Sequence, residues 1–336
     1  DQLYLFEERP SEEWSRETHF GECEDIVGFD DVVEDLMDDY RNTVDQDFTA
    51  RSRLFDMFLG DWDRHDDQWR WAKCDRKDGK GKIYRPIPRD RDQAFAKYDG
   101  ALLSLAKLFT PTIRKLNVFS EDIGNLKWFN DNGKIFDRDF INRLTRERWI
   151  AISEELKSSL TDAVIEESIR QLSPDVFAKD GTELIATLKA RRDQLPEFAA
   201  QYYDILAKTV TIRATRNADF IEIIENPGQV DIRVYDSNKA GEKNEVYYSR
   251  TFYKGETREI QIYGLAGHDR VDVRGAGSGG IKVFFIGGED GDRVEVSETG
   301  RHGNLKFQDT ETREEVMPDA QLTYHQVGDD KNTYER

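Results

Sequence analysis

Two short acidic segments hold the residues best suited to chemistry. The first is GDWDRHDDQW at positions 60–69, and the second is RPIPRDRDQAF at positions 85–95. Their carboxylates belong to Asp61, Asp63, Asp66, Asp67, Asp90 and Asp92. Carboxylates so close repel one another unless cations or arginines compensate them, and Mg²⁺ prefers sites made of oxygen ligands. The two segments therefore predict a site for Mg²⁺ or Mn²⁺, provided that the fold brings them together.

The alternative is that these segments are solvated surface turns whose carboxylates pair with neighbouring arginines, as is usual for charge runs. Arginines are available at positions 64, 85, 89 and 91. They could equally hold a phosphate group, so Arg64 is also a candidate for binding a nucleotide cofactor. Trp62, Trp69 and Trp71 interleave with the charges and favour an ordered site over a solvated turn.

The elements that flank the segments would position them side by side. Residues 48–59 place Leu54 and Phe58 at helical spacing, which predicts a buried helix that ends directly before the first segment. Residues 69–73 and 82–87 have the pattern of two strands, and the Lys-Asp-Gly-Lys turn between them predicts a hairpin. A hairpin returns the second segment to the neighbourhood of the first.

The whole chain predicts an α+β protein with two domains and a tail. Residues 1–208 have a mostly helical pattern, with further helices expected at 30–40, 101–108, 138–156, 162–172 and 182–208. Residues 209–310 alternate β-branched and polar residues in short runs between Gly-rich or Asp-rich turns, which predicts an all-β module. Residues 311–336 are polar and weakly patterned, so we expect a linker there.

Composition bears on the possible partners. The 336 residues include 49 Lys and Arg against 68 Asp and Glu, which gives a net charge of −19. Such a surface repels phosphate backbones, so we expect no nucleic-acid partner. No apolar run approaches the length of a membrane span. The two cysteines, Cys23 and Cys74, fit no metal spacing and could form at most one bridge.

The order of these elements resembles a known family. A helix, the sequence Asp-Arg-His-x-x-Gln, a hairpin and then Pro-x-Asp-x-Asp are similar to the C-terminal lobe of atypical kinases of the spore coat protein H and HipA type. The resemblance implies that Asp63 is the catalytic base, with His65 beside it in the catalytic loop. It also implies that Gln68 takes the place of a metal-binding Asn, and that Asp90 or Asp92 is the second metal ligand.

The opening residues extend the same resemblance. Tyr4 to Glu8 looks like the Tyr-x-x-x-Glu strand that forms the hinge between the two kinase lobes, which makes Glu7 and Glu8 candidates for cofactor binding. The chain starts on this strand-like run without Met, so we expect a fragment of a longer polypeptide that lacks the N-terminal lobe. The implied activity is a Mg²⁺-dependent transfer of phosphate from ATP to an unidentified acceptor. Without its N-terminal lobe the fragment is expected to be inactive, and a pseudokinase is the alternative.

A wider resemblance concerns residues 1–300. They look like a region of long bacterial envelope proteins that can follow a metallophosphoesterase domain and precede an outer-membrane β-barrel. The resemblance implies a location in the periplasm or at the outer membrane, with the rest of the polypeptide as partner. It also allows a second function, that of a structural spacer. Residues 60–65 are not themselves a metallophosphoesterase motif, because that two-metal site also needs Gly-Asn-His, which the chain lacks.

A short pattern with Asp at a turn followed by alternating apolar residues recurs in the β-rich half. It occurs at residues 217–223, 267–273 and 291–296. Each copy resembles one unit of a calcium-binding β-roll, but the copies lie 50 and 23 residues apart rather than the roll's about nine. A β-sandwich or solenoid with Asp turns is the alternative. We expect Asp269 and Asp292 on the same edge of one β-structure, where they would share a weakly bound Ca²⁺ with Asp290 or Glu289.

Overall fold

The computed structural model describes residues 10, 14, 23–238, 240–277, 279–296, 302–309, 312–315 and 323–326. These residues form a mixed α+β chain with three sheets, and no helix among them is long and apolar enough to cross a membrane. Both cysteines, Cys23 and Cys74, are disulfide-bonded. The chain divides into two compact units. Unit 1 contains residues 1–26, 45–72 and 85–205, and unit 2 contains residues 27–44, 73–84 and 206–336.

The elements follow one another from mostly helical to mostly strand. The helices are α1 (Phe29–Asp38), α2 (Gln46–Leu59), α3 (Ala101–Phe109), α4 (Leu126–Phe129), α5 (Lys134–Phe140), α6 (Arg146–Ser159), α7 (Asp162–Ile169), α8 (Pro174–Val176) and α9 (Thr182–Leu206). The strands are β1 (Asp25–Val27), β2 (Thr43–Val44), β3 (Trp69–Asp75), β4 (Lys82–Pro88), β5 (Thr209–Arg213), β6 (Asp219–Asn226), β7 (Gln229–Ser237), β8 (Lys243–Tyr253), β9 (Glu259–Leu265), β10 (Arg270–Arg274), β11 (Lys282–Gly288), β12 (Asp292–Val296), β13 (Leu305–Asp309), β14 (Thr312–Glu315) and β15 (Thr323–Gln326).

Helix α2 ends where the first acidic segment begins. Asp45 caps its start by accepting a hydrogen bond from the Phe48 amide at 3.1 Å. Gly60 ends it in the left-handed conformation with φ 79°, and a Cβ at this position would lie 2.6 Å from the Phe119 ring. Most of the helix between these ends is buried. The acidic segment therefore leaves from a helix that is fixed in the core.

An aromatic cluster fixes the other end of this segment. Trp69 on β3 stacks on Phe136 of α5 with ring centroids 4.9 Å apart, and Phe136 stacks on Phe140 at 4.7 Å. Trp71 packs on Phe140 at 5.5 Å. Buried rings of this size dominate core energetics and add specific ring–ring contacts. The first acidic segment therefore runs between two elements, α2 and β3, that are each held by packing.

One helix predicted for unit 1 differs from the structure, and another agrees with it. The helix predicted over 138–156 is two helices, because α5 ends at Phe140 and Thr145 caps a new start by accepting the Arg148 amide at 3.3 Å. Helix α9 contains Pro196 and continues beyond it to Leu206. The helix predicted over 182–208 is therefore confirmed as one continuous helix.

The β-rich part of unit 2 winds into a solenoid whose strands form two sheets. One sheet has the order β14-β12-β10-β6-β7-β8, and the other has the order β15-β13-β11-β9-β5. From β9 onward, successive strands alternate between the sheets, and neighbours such as β10 and β12 run parallel. Strands β7 and β8 form an antiparallel hairpin beside β6. Val, Ile and Phe side chains fill the core of this part. The arrangement matches the solenoid alternative rather than a sandwich of antiparallel sheets.

The division of the chain differs from the expected one. The linker predicted over 311–336 contains β14 and β15, which add parallel strands to the two sheets, so the prediction is wrong for these strands. The sequence also assigns residues 27–44 and 73–84 to the helical domain, but they belong to unit 2. The reason is visible at the end of α1, where the Met37 carbonyl accepts a hydrogen bond from the Arg216 amide at 2.7 Å.

Candidate functional site

The two acidic segments form adjacent loops in unit 1, the first loop (60–67) and the second loop (90–94). The Arg89 amide donates a hydrogen bond to the Gln68 carbonyl at 2.8 Å, and the Phe95 amide donates one to the Leu59 carbonyl at 3.1 Å. The loops are therefore tied to each other at both ends. The proximity predicted from the hairpin is confirmed, since β3 and β4 are neighbours in one sheet.

A buried arginine links both loops to α2. Arg64 is fully buried, and its Nε and Nη2 atoms donate to the Asp56 carboxylate at 3.0 Å each. Nη2 also donates to Asp61 at 2.5 Å, and Nη1 donates to the carbonyl of Arg89 at 2.5 Å. Arg91, from the second loop, donates to Asp56 at 2.5 Å. One carboxylate on α2 thus receives an arginine from each loop.

The position of Arg64 corrects its expected role in cofactor binding. Its guanidinium has no exposed surface, and its donors already bond to carboxylates and carbonyls inside the protein. A phosphate group could reach it only if these contacts broke. Arg64 therefore positions the first loop. Its pairing with Asp61 agrees with the alternative that carboxylates of this segment are neutralised by nearby arginines.

The electrostatics of the buried carboxylates follow from these contacts. Burial opposes the ionisation of Asp56, but Arg64, Arg91 and Arg53 outweigh it and lower the pKa of Asp56 to about 2. In contrast, burial together with the charge of Asp56 raises the pKa of Asp61 to about 6. Asp56 is therefore ionised at neutral pH, whereas Asp61 gives up its proton only close to neutrality.

Arg53 extends the network across the helices of unit 1. Its guanidinium donates to Asp56 at 2.7 Å, to Asp137 at 2.9 Å and to Asn130 at 2.8 Å. Tyr202 donates its hydroxyl to the same Asp137 carboxylate. Buried polar contacts therefore join α2, α5 and α9 behind the loops, and each charge in them is paired.

Asp63, the predicted catalytic base, is partly buried on the first loop. Its carboxylate accepts a hydrogen bond from the side-chain amide of Asn132, between α4 and α5. Asn132 in turn accepts a hydrogen bond from Lys115 at 2.5 Å, and the Lys115 ammonium lies 4.7 Å from the centre of the Trp62 ring. Nothing in the sequence singles out Asn132, because it lies 69 residues from Asp63 and belongs to no recognised motif.

Asp63 and Asp92 both act on Tyr98. Burial raises the pKa of the Tyr98 hydroxyl, and the charges of Asp92 and Asp63 raise it further. The Tyr98 ring also packs edge-on against Trp62, with centroids 6.2 Å apart. The exposed Asp92 carboxylate has no ion-pair partner among the residues that the structure describes. The negative charge of one carboxylate from each loop therefore opposes ionisation of the same phenol.

The backbone is unusual at the first residue of the second loop and at the residue directly after the loop. Asp90 and Phe95 have φ angles of 50° and 61°. This left-handed region is uncommon for residues other than Gly, and residues held in it cluster at active and ligand-binding sites. The Asp90 side chain is exposed. The two strained residues enclose the short stretch that contains Asp92.

Gln68 has the free buried oxygen that a metal ligand needs. The side chain is buried, and its Oε1 has no hydrogen-bond partner in the described part of the chain. The same is true of Oδ1 of Asp61. Buried oxygens without partners are costly, and amide and carboxylate oxygens are the ligands that Mg²⁺ accepts. Among all the residues that the structure describes, no group of three or more His, Cys, Asp or Glu side chains could hold a metal ion.

His65 shapes the first loop through its backbone. Its carbonyl accepts the Gln68 amide at 3.1 Å, which closes the short 3-10 turn at Asp66–Gln68, and its side chain is exposed. The other predicted cofactor contacts, Glu7 and Glu8, lie outside the described residues, so their role stays a prediction.

The aspartates of the β-rich part form a ladder in unit 2. The parallel register pairs Arg270 with Arg293, so Asp269 and Asp292 lie on the same edge of one sheet, as predicted. Oδ1 of Asp292 accepts the Asp269 amide at 2.9 Å, and Oδ1 of Asp269 accepts the Asp219 amide at 2.9 Å. Each carboxylate thus accepts a hydrogen bond from a backbone amide in the adjacent turn of the solenoid. These contacts give the aspartates a structural role, and calcium binding stays a prediction.

Asp219 begins this ladder. Its Oδ2 accepts the Thr215 amide at 2.8 Å and the Thr215 hydroxyl at 2.9 Å. Burial nevertheless raises the pKa of Asp219 to about 6. Asp290, an expected companion in calcium binding, accepts the Gly267 amide at 3.2 Å. The Asp turns of this unit are thus engaged in backbone contacts.

Comparison with known proteins identifies no relative. No protein family, curated protein or solved structure matches the chain. The functional interpretation therefore depends on the residues and the geometry of the two loops.

Proposed function

We propose that the two loops of unit 1 form a kinase-like site that transfers phosphate from ATP with the help of Mg²⁺ or Mn²⁺. Asp63 is the base, and the metal ligands are Gln68 and one or both of Asp90 and Asp92. The observation that supports this proposal is that the loops carrying Asp63 and Asp92 are joined at both ends by backbone hydrogen bonds, from Arg89 to Gln68 and from Phe95 to Leu59. Phosphoryl transfer requires a catalytic base and metal-binding oxygens in one site, and these bonds keep the two loops adjacent.

In phosphoryl transfer the protein mainly positions the reactants and stabilises charge, and it forms few covalent bonds itself. The acceptor hydroxyl attacks the γ-phosphorus of ATP, the bond to the bridging oxygen breaks, and ADP leaves. Asp63 would take the hydroxyl proton on Oδ2, because Oδ1 accepts the hydrogen bond from Asn132. A bound divalent ion would neutralise the phosphate charge, and the oxygens of Asp90, Asp92 and Gln68 are of the type that binds it.

The buried network behind the loops suits this role because it fixes them in advance. Arg64 and Arg91 hold both loops to Asp56 without contribution from any ligand. Catalytic groups that neighbouring residues already hold in place need little reorganisation during a reaction. Such preorganisation is the main source of electrostatic catalysis.

A structural role is the second candidate. The same network would hold the loops in a protein that transfers nothing, and no three-carboxylate metal group occurs in the part of the chain that is described. The chain would then be a pseudokinase, or a spacer between a metallophosphoesterase and an outer-membrane barrel in a protein of the cell envelope.

ATP turnover distinguishes the two candidates, measured with the N-terminal lobe that the kinase resemblance implies supplied in the same polypeptide. Asp63→Asn should lower the rate at least about a hundredfold, which is typical for loss of a general base. Asp67→Asn is the matched control, because Asp67 is an exposed carboxylate of the same loop and the charge change is identical. Equal turnover in wild type and Asp63→Asn would refute the assignment. Absence of turnover with retained Mn²⁺ binding would establish the pseudokinase instead.

A further inference from the structure

Helix α3 exposes apolar side chains that the proposed phosphotransfer does not use. The exposed fractions are 82% for Leu102, 54% for Leu105, 69% for Leu108 and 79% for Phe109. Positions 102, 105 and 109 are three and four residues apart, so they lie on one face of the helix. No residue of α3 is buried. Adjacent exposed apolar side chains of this kind mark an interaction surface.

The same region is basic although the chain is acidic. Residues 101–119 contain Lys107, Arg114 and Lys115 but no Asp or Glu, in a chain of net charge −19. Lys127 follows on α4. Within the described residues these cations contact amides, carbonyls and aromatic rings rather than carboxylates. Their positive charge is therefore not neutralised locally.

Trp128 completes this surface. The guanidinium of Arg114 and the ammonium of Lys127 lie 5.3 and 5.4 Å from the centre of its ring, and the ring is partly exposed. Trp flanked by Lys and Arg is typical of the level at which a membrane's headgroups meet its acyl chains. Leu and Phe on one element with cations and Trp beside it thus form an amphipathic surface.

We propose that α3 binds the surface of an anionic lipid membrane. The apolar face would enter the boundary between headgroups and acyl chains, and the unpaired cations would contact the anionic headgroups. The helix has 9 residues, so it would lie in the interface rather than span the bilayer, which takes about 20. Charge favours a lipid surface over a symmetric dimer through α3, because the basic surfaces of two copies would then face and repel each other, whereas anionic headgroups complement them.

Vesicle co-sedimentation of the whole chain tests this proposal. We expect pelleting with vesicles of phosphatidylcholine mixed with phosphatidylglycerol, less pelleting as salt rises, and little with phosphatidylcholine alone. The triple variant Leu102→Ser, Leu105→Ser, Phe109→Ser should lose binding. The matched control changes three exposed apolar residues elsewhere and should bind as wild type: Val164→Ser, Val176→Ser, Val246→Ser. Lys107→Gln and Lys127→Gln should each weaken binding about fivefold.

Three results would overturn the proposal. The first is no pelleting of the wild type with the anionic vesicles. The second is equal pelleting of the wild type and the α3 triple variant, or of anionic and neutral vesicles. The third is a dimer in solution, by light scattering, that the triple variant converts to a monomer, which would make α3 an interface between copies. Circular dichroism and the melting temperature of the variant verify that it is folded, as expected for exposed positions.

Discussion

Asp56 and Arg64 form a two-point ion pair with no exposed surface, and both of its N–O distances are 3.0 Å. Arg53 and Arg91 donate to the same carboxylate. Buried charges are costly on their own and acceptable only when paired and hydrogen-bonded. The stability of unit 1 and the position of both acidic loops therefore depend on one side chain of α2.

Asp56→Asn should lower the free energy of unfolding by about 3–5 kcal/mol, because it leaves buried arginines without their shared countercharge. Urea denaturation at neutral pH measures this. Asp67→Asn, an exposed change of the same kind, should stay within about 0.5 kcal/mol of the wild type. Similar losses in the two variants would show that the network does not hold the loops.

The raised pKa of Asp219 predicts a pH dependence of stability. Its folded pKa of about 6 exceeds the ordinary aspartate pKa of 3.8, so the native state binds the proton more tightly than the unfolded state does. The contribution of Asp219 to the free energy of unfolding is fully present below about pH 4. It is lost as the pH rises through about 6. The raised pKa of Asp61 likewise lowers stability as the pH rises. The lowered pKa of Asp56 has the opposite effect, because its contribution is lost only as the pH falls from about 4 to about 2.

Asp219→Asn isolates this effect, because its amide oxygen can still accept the Thr215 hydrogen bonds but carries no charge. Denaturation at about pH 4 and about pH 7 should show a smaller loss of stability in the variant than in the wild type. An identical loss in both proteins would mean that Asp219 is not the titrating group.

The aspartate ladder predicts a difference between two substitutions at one position. Asp269→Ala leaves the buried Asp219 amide without an acceptor and should cost about 1–3 kcal/mol. Asp269→Asn retains an acceptor oxygen and should cost less. The unfolding free energies of the two variants test this, and equal costs would argue against the ladder.

Calcium provides a second test of the same carboxylates. A weak site with a dissociation constant of about 10⁻⁴ to 10⁻³ M would add roughly 0.4 to 1.4 kcal/mol in millimolar Ca²⁺. A melting curve of the whole chain with and without Ca²⁺ measures the effect, beside an Asp269→Ala, Asp292→Ala variant that should not respond. An unchanged wild-type melting temperature would leave the ladder with a structural role alone.

Local patterns in the sequence are enough to predict much of the fold. The spacing of Leu54 and Phe58 predicts α2, and the turn before Gly81 predicts the hairpin that brings the loops together. The recurring Asp turns predict that Asp269 and Asp292 share an edge. These features depend on neighbours in sequence or on a repeat, and both are visible in a single chain.

Long-range polar contacts are not visible in this way. Arg53 reaches Asp137 across 84 residues, and Asp63 reaches Asn132 across 69. A signal for the first contact does exist, because Arg53 and Asp56 adjoin the apolar residues at 54–55 and 57–59 of a helix expected to be buried, and buried charges require partners. The strands of the predicted linker are weakly patterned, and pairing with the preceding coils rather than local propensity explains them.

Mn²⁺ titration of this chain by calorimetry tests the proposed site most directly. The two-loop site predicts that the wild type binds Mn²⁺, that Gln68→Ala and the double variant Asp90→Asn, Asp92→Asn each weaken binding at least about tenfold, and that the exposed Asp67→Asn does not. Loss of binding in all three variants would indicate general attraction to an acidic surface. Absence of binding in the wild type, or unchanged binding in Gln68→Ala and in the Asp90→Asn, Asp92→Asn double variant, would contradict a metal site formed by the two loops.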